Sequence, residues 1–186
     1  MQTLAKFIYF KILGWKLVGS FPQLDKCVVI VVPHTSWVDF FLGLLIRRVL
    51  NEDIHFIGKK ALFKPPFGWY FRWMGGAPID RSKNMDTVSA TAKIFNQNKK
   101  FRLALSPEGT RKKVSEWKTG FYYIAKAAKV PIVMVAFDFG KFPSLNILRM
   151  TKRKILQLIR HSLKEWWARC RKIVFDIHYY TPQWTG

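Results

Sequence analysis

Cysteine is scarce in this chain. There are two, Cys27 beside an apolar run and Cys170 in a basic stretch, too few for a disulfide framework or a cysteine-built metal cluster, which points to a reducing setting. Histidine is equally thin, with four in 186 residues. Of these, His55, His161 and His178 have no companions at metal-ligand spacing, so no metal site and no bound cofactor are expected. Acidic residues number 11 against 32 Lys and Arg, a formal net charge of +21. An imbalance of that size calls for an anionic partner, whether nucleic acid, acidic membrane or a phosphate-bearing substrate. No zinc-finger spacing and no RRM-type aromatic signature is present, so nucleic acid ranks below membrane. Long hydrophobic runs are missing as well. In MQTLAKFIYFKILGWKLVGSF the apolar stretch is broken by Lys6, Lys11 and Lys16, and nothing approaches the roughly 20 residues needed to cross a bilayer. The same segment lacks the small-residue cleavage site of a signal peptide and is expected to stay attached. There is no internal repeat and no low-complexity segment.

What remains is rich in apolar and aromatic side chains. Hydrophobic residues make up 49% of the chain and aromatic residues 16%, with eight Trp and sixteen Phe. That is enough for one real core, and no second domain need be invoked. Rings and lysine stems together suit a membrane interface. Residues 1–22 are therefore expected to form an interfacial helix, with Phe7, Ile8, Phe10, Ile12, Leu13, Trp15 and Leu17 entering lipid while the lysines meet anionic headgroups. A helix packed into the core is the competing reading.

Along the chain, apolar runs alternate with helical periodicity. Lys26–Val32 reads as a buried strand closed by Pro33, and Trp37–Leu50 as a helix capped by Thr35 or Ser36. Strands follow at His55–Gly58, Gly76–Ile79, Phe101–Leu105 and Ile132–Phe137. Helices are expected at Phe67–Met74, Asp86–Asn96 and Phe121–Lys129, with a break at Pro65-Pro66. This alternation predicts a single-domain α/β fold: a mostly parallel central sheet flanked by helices over 23–140, with the N-terminal interfacial helix before it.

Two clusters carry chemistry. In VVPHTSWVDF, His34 and Asp39 straddle a strand-to-helix junction, a common site of chemistry in α/β folds. An imidazole is suited to take a proton from an alcohol at neutral pH, and a carboxylate on its far nitrogen holds the tautomer. In SPEGTR, Ser106 to Arg111, Gly109 lets the backbone approach a phosphate, Arg111 offers a fork of donors and Thr110 a hydroxyl. Glu108 cannot bind phosphate and is suited to orienting Arg111 or a hydroxyl. Taken singly, each cluster also has a plain structural reading, a helix-capping histidine or a solvated turn. Lys112, Lys113 and Lys118 either extend the anion site or form a solvated basic face. Trp69, Tyr70, Phe71 and Trp73 either line an apolar groove, dip into a bilayer or pack in the core.

In combination, the two clusters resemble the signature of the glycerolipid acyltransferases, the family that includes 1-acyl-glycerol-3-phosphate (lysophosphatidic acid) acyltransferase. Two further blocks fit that family in order, GGAPIDRS at Gly75–Ser82 and KVPIVMVAF at Lys129–Phe137. The resemblance implies a glycerol-3-phosphate acyltransferase-like fold and transfer of a fatty acyl group from acyl-CoA or acyl carrier protein to a lysophospholipid hydroxyl, in phospholipid biosynthesis. It implies His34 as base and Asp39 as its partner, with Glu108, Gly109, Thr110, Arg111 and Arg81 holding the glycerol phosphate of the acceptor. It also implies the cytoplasmic face of a membrane, with peripheral or monotopic attachment. Locally, Arg81 reads equally well as a surface partner of Asp80, and Pro131 heads a segment read as a buried strand. The competing class is a non-catalytic basic binder of membrane or nucleic acid, which leaves the coincidence of His34, Asp39 and EGTR unexplained.

The resemblance stops near residue 140. Residues 141–186 carry ten Lys and Arg against two acids, where the family implies a polar, acidic-leaning ending. Codons can be chosen for His161 to Asp176 that encode, in another frame, such an ending and then a stop. A frameshift near residue 141 is therefore expected. Its rival is a genuine basic helix, Thr151–Lys172, docking on anionic lipid.

Overall fold

A computed structural model describes residues 2–32, 36–79, 84–110, 117–139 and 143–150. Helix α1 (Gln2–Phe7) runs into a π turn (Ile8–Ile12) and strand β1 (Lys16–Val18). Then come β2 (Lys26–Val32), α2 (Val38–Leu50), β3 (Ile54–Lys59), a 3-10 turn (Lys60–Phe63), α3 (Gly68–Trp73) and β4 (Gly76–Ile79). The described chain finishes with α4 (Asn84–Gln97), β5 (Phe101–Leu105), α5 (Gly120–Ala128), β6 (Ile132–Asp138) and β7 (Ser144–Met150).

The seven strands form one sheet in the order β1-β7-β6-β2-β5-β3-β4. Strands β2 to β6 all run the same way, β2 lying between β5 (Ile30 opposite Leu105) and β6 (Val32 opposite Ala136). Alternate side chains of the central strands go to opposite faces, and both faces are covered, which is why these strands read as unbroken apolar runs. Val28, Ile30 and Val32 join Leu103, Met134 and Ala136 under Phe95 of α4 and Phe121 and Ile124 of α5. Val29, Val133, Val135 and Phe137 go the other way, under Ala5 and Tyr9 and under Leu42, Ile46 and Val49 of α2. The result is a helix–sheet–helix sandwich, the expected α/β class.

Two strands lie outside the expected 23–140 limits. Strand β7 pairs antiparallel with β6, Asp138 opposite Ser144, and β1 pairs parallel with β7, Lys16 opposite Ser144. The N-terminal segment is correspondingly not one interfacial helix. At Gly14, with φ +65°, the chain leaves the π turn and enters the sheet, so Trp15 and Leu17, expected in lipid, pack in the core instead. Trp15 meets Phe137 and Phe139 edge-on, ring centroids 5.8 and 5.1 Å apart. Phe7, Phe10, Ile12 and Leu13 do face outward. No helix among the described residues is long and apolar enough to cross a membrane. The rival basic helix Thr151–Lys172, and with it most of the anomalous tail read as frameshifted, lies outside the described residues.

Candidate active site

Because β2, β4, β5 and β6 are parallel, their C-terminal ends share one edge of the sheet, the usual ligand edge of an open α/β fold. The loop after β2 carries the His34 cluster, the loop after β4 carries Arg81, and the loop after β5 is SPEGTR. Since β2 and β5 are hydrogen-bonded neighbours, the first and third of these loops emerge side by side. His34, Arg81 and Arg111 themselves lie outside the described residues, as does Thr35.

Asp39 stands in the first turn of α2 and is 2% exposed. Its Oδ2 accepts a hydrogen bond from the Ser36 backbone N–H at 2.7 Å, while the Ser36 hydroxyl accepts one from Val38 N–H at 3.2 Å. Ser36 thus ties down the helix start as a short local turn. A carboxylate is thereby fixed, out of water, at the helix start that follows the loop containing His34. In an apolar setting such a group needs partners, and its placement at a helix start supplies N–H donors.

The SPEGTR turn is built to a comparable standard. Ser106 C=O accepts from Gly109 N–H at 3.2 Å, and Pro107 C=O from Lys118 N–H at 2.8 Å. Glu108 is 7% exposed. Gly109 has φ +64°, a left-handed conformation costly for any residue with a Cβ. A Cβ there would also stand 3.0 Å from Lys118 Cδ and 3.2 Å from its Nζ. The lysine stem therefore lies across the glycine, and its cation sits at the turn. Sequence reasoning preferred a solvated basic face for Lys118 over the anion site; the spacing of nine residues concealed that the chain doubles back between Gly109 and Lys118. It also gave Ser106 no role. The Ser106 hydroxyl is enclosed and has no hydrogen-bond partner among the described residues, and a lone serine in a turn offers no sequence signal for that.

His55 sits at the opposite edge, stacked on Phe101 with centroids 4.9 Å apart and its Nε2 3.4 Å from Asp53, remote from Asp39. Among the described residues no three His, Cys, Asp or Glu side chains converge as a metal site would require.

With the edge assembled, similarity to known proteins can be weighed. The family model described as Acyltransferase matches residues 19–138, well over half of the chain. The chain belongs to the acyltransferase family. It is 32% identical over 128 residues to a 1-acyl-sn-glycerol-3-phosphate acyltransferase of Saccharomyces cerevisiae, covering 64% of this chain and 41% of that protein. It is 33% identical over 120 residues to the protein of that name from Streptococcus pneumoniae, covering 62% and 43%. Against the Escherichia coli protein of the same name the figures are 36% over 134 residues, 63% and 54%. The chain thus spans about half the length of these relatives. The crystal structure of the 1-acyl-sn-glycerophosphate (LPA) acyltransferase from Thermotoga maritima superposes with a TM-score of 0.59 at 19% identity, over 100% of this chain and 80% of that one, a likeness that establishes the fold.

Proposed function

We propose that this protein transfers a fatty acyl group from a thioester carrier, coenzyme A or acyl carrier protein, to the free hydroxyl of a lysophospholipid, 1-acyl-glycerol-3-phosphate by preference, at the cytoplasmic face of a membrane. Family membership, together with the activity for which the relatives are named, supports the reaction class. The observation that carries the reading is the buried Asp39 carboxylate, anchored on Ser36 N–H at 2.7 Å in the first turn of α2, directly after the loop that bears His34 and next to the strand that leads into SPEGTR.

The chemistry follows from the residue types. The acceptor hydroxyl is far too weak an acid to ionise at neutral pH, so His34 takes its proton as the oxygen attacks the thioester carbonyl. Asp39 holds the imidazole in the productive tautomer and stabilises the imidazolium. When the tetrahedral adduct collapses, the carbon–sulfur bond breaks and His34 returns the proton to the departing thiolate. The acceptor attacks directly, so no covalent acyl-enzyme is formed. Arg111, Arg81, Gly109 and Thr110 hold the acceptor phosphate, with Glu108 orienting Arg111 and the Lys118 cation at the same turn adding to the anion site. The exposed apolar residues of the N-terminal segment, Ile12 at 64% among them, with Lys6 and Lys11 alongside, give contact with an anionic membrane surface.

The test is transfer of labelled acyl groups from acyl-CoA and acyl carrier protein to a panel of lysolipids, with the parent and His34→Ala compared. Loss of turnover in a folded variant is expected, by about 10²- to 10⁴-fold. Equal turnover by the two proteins would remove His34 from the mechanism.

A further inference from the structure

Helix α3 and the 3-10 turn before it show one face to the core and another to solvent. Inside, Phe71 meets Phe63 and Phe40 at centroid distances of 6.2 and 6.3 Å. A Cβ on Gly68 would stand 2.1 Å from the Phe63 carbonyl oxygen, so only glycine lets the helix sit this close to the turn. The segment is clamped, and the clamp turns the remaining large side chains outward: Phe67 is 66% exposed, Trp69 70% and Trp73 68%, with Leu62 also in water. A chain does not ordinarily leave several adjacent aromatic residues on a rigid surface unless something covers them.

Charge identifies the cover. No Asp or Glu occurs between Asp53 and Asp80, while that stretch holds Lys59, Lys60, Lys64 and Arg72. Lys60, Lys64 and Arg72 are themselves exposed around the rings, and the Arg72 guanidinium rests over the Phe63 ring at 5.7 Å. Tryptophan bordered by cations, with acids excluded, suits the boundary between headgroups and acyl chains of an anionic bilayer. A second copy of this chain, also at +21, would bring like charge to the same surface. We propose that the outer face of the 3-10 turn and α3 is a second lipid-contact surface, which inserts Phe67, Trp69 and Trp73 into bilayers containing anionic phospholipid, separately from the N-terminal segment. The proposal rests on the membrane reading given above. The surface begins directly after the C-terminal end of β3, on the edge that carries the active site, so docking through it sets the acceptor loops against the lipid from which a lysolipid is drawn.

The experiment is co-sedimentation of the full chain with vesicles of phosphatidylcholine containing about 30 mol% phosphatidylglycerol, the amount needed for a marked negative surface potential. Three proteins are compared: the parent, the triple variant Phe67→Gln/Trp69→Gln/Trp73→Gln, and a control, Leu4→Gln/Phe7→Gln/Ile12→Gln. The α3 variant should partition about tenfold or more weakly than the parent, since three buried rings are withdrawn from lipid. Parent-like binding by the α3 variant, with loss only in the control, leaves the N-terminal segment as the sole anchor and overturns the proposal while sparing the membrane reading. Failure of the parent to bind overturns both. Because glutamine at three sites can disturb folding, the conservative pair Trp69→Phe/Trp73→Phe is measured in the same phosphatidylglycerol-containing vesicles with the phosphatidylcholine brominated. The parent's fluorescence should be quenched, and much of that quenching should vanish in the pair; unchanged quenching sinks the idea.

Discussion

The two edges of the sheet are built on opposite plans. At the N-terminal edge, polar groups are locked together. Arg102, buried at the start of β5, donates from Nε to the Leu24 carbonyl at 2.7 Å, pairs with Glu52, and lies over the Phe21 ring at 5.6 Å. Beside it Arg47 holds Asp53 at 2.5 Å. These contacts bind together the segments that enter β2, β3 and β5. At the C-terminal edge the described residues instead include a buried carboxylate held by the Ser36 N–H, an enclosed serine hydroxyl without a hydrogen-bond partner among the described residues, and a glycine in a left-handed conformation. Cross-links at one edge fix the starts of the strands, while the other is the edge at which open α/β sheets place their ligands.

Four substitutions or treatments separate the edges, beginning with the largest effect. Asp39→Asn keeps the shape of the C-terminal edge but removes the negative charge; acyl transfer should fall by about 10²- to 10⁴-fold, with a thermal midpoint near that of the parent. A collapse in midpoint with unchanged turnover per folded molecule would make Asp39 a structural residue. Arg102→Met should do the reverse, lowering unfolding free energy by about 3–5 kcal/mol because Glu52 and the Leu24 carbonyl lose a buried partner. Denaturant titration measures it, and turnover per folded molecule should hold. Cys27 reports on the same edge. Burial pushes its thiol up to about 11, Arg102 opposing and Glu52 adding to the shift. At pH 8 a Cys170→Ser variant should therefore be alkylated about 100-fold more slowly when folded than in denaturant. Since the folded value is raised, the thiol's contribution to stability is complete below its unfolded pKa and disappears as pH climbs through about 11, so unfolding free energy should decline across that alkaline window. Equal alkylation rates would mean that the edge opens readily. Smallest is Gly109→Ala, which should cost about 1–2 kcal/mol for the left-handed backbone and, by displacing Lys118, raise acceptor KM more than it lowers kcat. A rise confined to the acyl-donor KM would assign the turn to the other substrate.

The contrast also explains what was legible. Strands at Lys26–Val32, Gly76–Ile79 and Phe101–Leu105 occur where expected, because an apolar run bounded by Pro, Gly or charge allows few alternatives. Helix α2 was visible in the spacing of Leu42, Val49 and their neighbours, and Asp39 is found at the expected strand-to-helix junction, buried as Glu108 is. Hidden were the elements whose stability comes from partners far along the chain. Strand β1 has three residues and no periodicity to detect. Strand β7 was lost in the basic character of the segment around it, although Leu145 and Ile147 alternate inward. Nothing in the local sequence marks Arg102, a cation within an apolar strand, as buried. Only the distant Glu52 and Leu24, brought to it by the sheet, make its burial tolerable.

The pairing of β1 with β7 bears on how the protein is made. Lys16 leaves the ribosome long before its partner Ser144; at about 5–20 residues per second the delay is on the order of ten seconds. Throughout it β1 has no strand to join, and the Trp15 ring lacks Phe137 and Phe139. When β7 does form on β6, its outer edge stays open until the first strand returns to cover it. Slow translation or a truncated product would thus prolong an interval in which an unpaired β edge and an uncovered apolar N-terminus coexist, the combination that invites self-association.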